Sequence, residues 1–134
     1  MANPYIFLFH QGFANSGQLW YSVFNGTLSG WGPDTQVPQA AMSASPSAVA
    51  FPDGGTTVFH QGAYENGQLL YIDFTADIPV QNLSMSASPS AVVYNGNLYV
   101  FHQGSSQSGQ LWYSVSTDGI DWYPDTQVQN LGPT

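Results

Sequence analysis

Three histidines stand out as the residues best placed to do chemistry. His10, His60 and His102 each open a His-Gln-Gly triplet, and after a short polar loop each triplet is answered by Gly-Gln-Leu-(Trp/Leu)-Tyr. The repeated polar and aromatic set is His10, Gln11, Gln18, Trp20 and Tyr21; then His60, Gln61, Gln68 and Tyr71; then His102, Gln103, Gln110, Trp112 and Tyr113. Imidazoles and planar amides donate and accept hydrogen bonds in fixed directions, and an aromatic face offers an apolar platform. A sugar asks for that combination, because it presents hydroxyls in a rigid array beside one or two apolar C–H faces. Gly12, Gly62 and Gly104 would let the backbone approach such a ligand. Trp31 with Asp34, and Trp122 with Asp125, recur in a Trp-x-Pro-Asp-Thr-Gln-Val segment and are additional candidates. The competing account is architectural: His and Gln brace the adjacent loop, and Trp fills the core. Leu70 in place of Trp in the second copy fits a buried slot as well as a lost platform. Polar side chains kept in all three copies are costly to bury for bracing alone, which favours ligand contact.

Composition removes several classes of function. The chain has 134 residues, no Lys or Arg, eight acidic residues and a formal net charge of -8. Nucleic-acid binding depends on cations that displace phosphate counterions, and here there are none. An anionic membrane surface is disfavoured for the same reason, and the apolar runs are far shorter than the ~20 residues of a membrane span. With no Cys there is neither a disulfide framework nor thiol chemistry. The three His occupy equivalent places in different repeats, so a shared metal ion is not expected, and no cofactor motif is present. The opening MANPYIFLFHQG lacks a basic n-region, so no signal peptide is expected, and the chain is read as cytoplasmic or non-classically secreted.

The elements that must hold these residues also repeat. The histidines are spaced by 50 and then 42 residues, and MSASPSAV starts at Met42 and again at Met85. Together these markers divide one domain, 1–134, into repeats of approximately 1–44, 45–87 and 88–134. The third is clearest. SPSAVVY, an Asn-Gly turn and LYVFHQG form a hairpin, GQLWYSV is a third alternating run, and WYPDTQV is a short fourth strand. No window has helical periodicity, so the protein is expected to be all-β. First strands of the SPSAV type occur twice and the other three types occur three times, which gives eleven strands.

The turn SVSTDGIDW (114–122) resembles the Asp-box of sialidase-like β-propellers, with the pattern Ser-x-Asp-x-Gly-x-Thr-Trp. Ser116, Asp118, Gly119 and Trp122 match, with one residue fewer between Asp and Gly. In that family the box joins the third and fourth strands of a blade, where this copy also falls. The resemblance implies four-stranded propeller blades, about three per chain. Three blades cannot close a ring, and open edges invite pairing, so closure by self-association is expected, most simply as a dimer. A β-trefoil is the alternative: it also has three repeats, and Gln-Leu-Trp resembles the Gln-x-Trp of ricin-type trefoil lectins. The unequal spacing, the absent strand and the Asp-box-like turn favour the propeller.

The same resemblance raises the question of catalysis. A sialidase grips its substrate carboxylate with arginines and uses a Tyr/Glu pair, whereas this chain has no Arg and its one Glu is Glu65, in a variable loop. Other glycosidases need two carboxylates flanking the bond, and only Asp34 and Asp125 recur, one per repeat. An enzyme is not expected. The chain is similar in plan to propeller lectins, which implies non-catalytic, multivalent binding of glycans or glycoconjugates. The alternative is a protein-interaction or assembly module without a small ligand.

Overall fold

A computed structural model describes residues 6–13, 16–26, 30–51, 55–62, 67–72, 76–104 and 109–128. Among them eleven strands follow in chain order: β1 (Ile6–Gln11), β2 (Gln18–Phe24), β3 (Thr35–Ala41), β4 (Ser47–Ala50), β5 (Thr56–Gln61), β6 (Gln68–Ile72), β7 (Asp77–Ser84), β8 (Ser90–Tyr94), β9 (Asn97–Gln103), β10 (Leu111–Ser116) and β11 (Thr126–Gln127). They form three antiparallel meanders, ordered β1-β2-β3, β4-β5-β6-β7 and β8-β9-β10-β11. Among the described residues blade 1 shows three strands and the other two sheets four each, and the two SPSAV segments become β4 and β8. Each sheet is an open meander built from the strands of a single repeat, which is propeller-like. A trefoil would instead combine strands of all three repeats in one barrel.

The local sequence explains the hairpins. Asn95 and Gly96 have φ of 51° and 77° between β8 and β9, as a two-residue type I′ turn demands, and Asn-Gly is the pair that tolerates it. β9 then alternates: Leu98, Val100 and His102 are buried, while the residues between them are half-buried.

That alternation gives every blade two distinct faces. One carries the histidine and the residues two and four places before it; the other carries Phe9, Phe59 or Phe101. Phe9, Leu19 and Tyr21 of blade 1 pack on Val58 and Ile72 of blade 2. Phe59, Leu69 and Tyr71 of blade 2 pack on Leu98, Val100 and Trp122 of blade 3. The phenylalanine face of each blade is thus laid on the histidine face of the next. Burying side chains of this size stabilises by roughly 1.5–3 kcal/mol each, so these two joints are the core.

The MSAS motif fastens both joints. Met42 N donates to Gly17 O (2.9 Å) and Ser43 N to Gln61 O (3.2 Å), while Ser43 Oγ donates to Gly62 O (2.7 Å). Met85 N, Ser86 N and Ser86 Oγ repeat these bonds to Gly67 O (2.7 Å), Gln103 O (3.3 Å) and Gly104 O (2.7 Å). The recurring motif is therefore a clasp that carries the chain from one blade to the next.

Candidate functional site

Each histidine ends the second strand of its blade and is held at both ring nitrogens. Nε2 of His10, His60 and His102 lies 2.8, 2.8 and 3.0 Å from Oδ1 of Asp34, Asp77 and Asp125. Nδ1 faces the carbonyl oxygen of the following Gln at 3.0, 3.1 and 3.2 Å. The ring thus ties the end of the second strand to the start of the fourth. In blades 1 and 3 the carboxylate also accepts from Ser22 Oγ (3.2 Å) and Ser114 Oγ (2.9 Å). Asp77 is a third member of the set that the sequence reading did not pick out. In blade 2 the Asp-Thr-Gln-Val pattern has become Asp-Ile-Pro-Val, and only the Asp-x-x-Val spacing survives.

Exposure separates the three copies. The His60 and His102 side chains are 0% exposed, whereas His10 is 41% exposed. A shut-in imidazole bonded at both nitrogens acts as a brace, so His60 and His102 do not reach a ligand in this arrangement. The expectation of direct contact at these two positions gives way to the architectural account, because the preceding blade covers them. At His10 the Asp34 hydrogen bond, assisted by the Gln11 carbonyl, raises the pKa above its ordinary 6.5, with burial opposing. A ring protonated on both nitrogens satisfies carbonyl and carboxylate together.

Beside His10 lies a cleft of about 310 Å³ lined by Gly12, Phe13, Ser16, Gln18, Trp20 and Asp34 as well as His10. Cross-strand pairing of His10 with Trp20 puts both on one face. Trp20 Nε1 donates to Gln18 Oε1 at 3.2 Å, which fixes the indole as a wall and leaves the amide nitrogen of Gln18 as a donor. A side chain at Gly12 would displace the cleft wall: a Cβ there would overlap Ser16 Oγ and stand 2.9 Å from Trp20 Nε1. Phe13 is 95% exposed at the lip. The sequence reading did not single it out, because aligning the repeats fixes only the frame on either side of this loop, although an aromatic residue in a loop was itself a signal.

The remaining candidates are dispersed. Gln11 pairs with Leu19 on the opposite face, and Tyr21, Tyr71 and Tyr113 stand beside Phe9, Phe59 and Phe101 with ring centroids 6.0, 6.1 and 5.9 Å apart. These tyrosines belong to the blade joints or their equivalents, not to the cleft. Gln61 is buried, with Nε2 3.5 Å from Met85 O, and Gln103 is half-buried. Gln68 and Gln110 are exposed, and Trp112 is half-buried opposite His102. Trp122 lies in the core, 5.7 Å from Phe59 and 6.3 Å from Tyr71 between ring centroids. Trp31 packs on Phe24 at 5.3 Å but stays half-exposed. Among the described residues no three His, Cys, Asp or Glu gather as a metal site.

In blade 3 the turn between β10 and β11 is held by its own side chains. Asp118 Oδ1 accepts from Ile120 N and Asp121 N, both at 2.9 Å, and Ser116 Oγ accepts from Gly119 N at 2.8 Å. Backbone bonds from Asp121 and then Ile120 hold the Asp118 carboxyl below its ordinary range. The turn carries Trp122 into the joint, so its role here is structural.

No protein-family model matches the sequence, and no curated protein sequence matches it either. Among solved structures, the fold is similar to that of a fucose lectin from Kordia zhangzhouensis in complex with methyl-fucoside, with a TM-score of 0.59 at 12% identity over 89% of this chain and 87% of that one.

Proposed function

We propose that this protein is a non-catalytic lectin that binds neutral glycans, with the blade 1 cleft as its best-formed site. The observation that carries the proposal is the grouping, around one cleft, of an indole wall, a Gln18 amide tied to it, an exposed Phe13 and a hydrogen-bonded His10–Asp34 pair. Stacking on Trp20 or Phe13 takes the apolar face of a sugar, and Gln18 with Asp34 takes its hydroxyls. The chain has no Lys or Arg, and the charge of His10 in the cleft is already met by Asp34, so an anionic sugar finds no free counter-charge there and the ligand is neutral. The solved lectin of similar fold was captured with a methyl-fucoside, which makes a fucoside the first ligand to test. Gln110 and Trp112 in blade 3, and Gln68 in blade 2, are the corresponding positions for weaker sites. Several such sites on one assembly would gain affinity for clustered glycans by avidity.

A second reading is an assembly module without a small ligand, and the buried braces at His60 and His102 favour it. A glycan array probed with labelled protein separates the two. The lectin reading expects a coherent set of terminal sugars, competed by the free monosaccharide. Silence across the array from folded protein would leave the assembly reading.

A further inference from the structure

We propose that blade 3 of one copy seats on blade 1 of a second copy, repeating between chains the joint that the chain forms twice within itself. The two end faces are complementary halves. On the histidine face of blade 1, Leu8 is 51% exposed, whereas Val58 and Val100, its equivalents in blades 2 and 3, are fully buried beneath a preceding phenylalanine face. On the phenylalanine face of blade 3, Val92 is 48% exposed, whereas its equivalent Val49 is packed into the joint between blades 2 and 3. Each chain therefore presents one unused socket and one unused plug of a geometry already realised twice. Such contacts are heterologous, and they close a ring or propagate according to the rotation per blade.

Trp31 sits at the centre of the proposed joint. It aligns with Trp122, four residues before the Thr-Gln of the fourth strand in each case. Trp122 lies edge-on to Phe59, with the rings 87° apart, and also contacts Tyr71. Phe101 and Tyr113 are the blade 3 equivalents of that pair and carry no covering Trp among the described residues. Trp31 of a second copy supplies it, which accounts for a large apolar side chain left 51% exposed.

The clasp has a counterpart as well. VQNLGPT from Val128 runs in step with VQNLSMS from Val80, so Thr134 falls in register with Ser86, the residue whose hydroxyl donates to Gly104 O. Residues 129–134 lie outside those described, and this alignment is one of sequence. Leu8 lies on the same strand face as His10, which lines the cleft, so if the cleft is the sugar site, the second copy borders it.

Sedimentation of the wild type, Leu8→Asp, Val92→Asp and an equimolar mixture of the two variants tests the joint independently of any sugar. The expected wild-type mass is twice the 14.5 kDa chain. Each variant alone should be monomeric and folded, because the changed side chain is exposed in the single chain. The mixture should recover a dimer, since Leu8→Asp keeps an intact blade 3 face and Val92→Asp keeps an intact blade 1 face. Trp31→Ser should raise the dimer dissociation constant by at least tenfold. A monomeric wild type at tens of micromolar, association that survives both charges, or variants that fail to complement each other would overturn the proposal.

Discussion

Blades 1 and 3 carry nearly the same histidine face and differ in what covers it. Leu8 and Val100 match, as do His10 and His102, and both histidines hold an aspartate and a serine is nearby. In blade 3 this face is the floor of a core, and in blade 1 it is a surface with a cleft. The side chains are alike, so their role is set by the neighbouring blade. One motif can thus serve as a buried brace in one repeat and as part of a reachable site in another.

The sharpest way to break the comparison is through the phenylalanine faces. Phe59 is fully buried in a joint, and Phe59→Ala should cost about 3–5 kcal/mol in urea unfolding. Phe101 is half-buried in the single chain, and Phe101→Ala at a concentration where the chain is monomeric should cost about 1 kcal/mol. Equal losses would show that the joint between blades 2 and 3 is not where the core lies.

The histidines give the next largest contrast. His60→Ala strands Asp77 without its buried partner and should destabilise by roughly 3 kcal/mol. His10→Ala removes an exposed pair and should cost less than about 1 kcal/mol. Its effect should also depend on pH. The pKa of His10 is raised in the folded state, so the stability it adds is fully present below its ordinary 6.5 and is lost as pH rises through the folded value. The difference between wild type and His10→Ala should therefore shrink on moving from pH 6 to higher pH. A constant difference would mean that the Asp34 bond does not depend on ring charge.

The strand plan was legible in the sequence because each run alternates and each turn has its own chemistry. Asn95-Gly96 predicts a hairpin, and the two SPSAV copies predict the first strands of blades 2 and 3. The His–Asp pairing was not legible, because the partners lie 24, 17 and 23 residues apart and meet only when the second and fourth strands come to lie across the third. Asp77 was further hidden by the altered residues after it. The split between His10 or Trp20 on one face and Gln11 or Tyr21 on the other follows from strand alternation, and the sequence reading applied that rule only in part. Burial of His60 and His102 depends on which blade lies over them, a tertiary fact no local pattern carries. Trp122 was ambiguous for the same reason: the Asp-box-like turn predicts a tucked indole without saying what it is tucked against.

The central claim is that the blade 1 cleft binds sugar, and calorimetric titration of methyl-fucoside, or of the best array ligand, into wild type and Trp20→Ala tests it most directly. Trp20 is half-buried and leans on Gln18 rather than on a joint, so the variant should fold normally. The account predicts at least a tenfold loss of affinity at one site per chain with the unfolding midpoint little changed. Unaltered binding by a folded Trp20→Ala variant would contradict it.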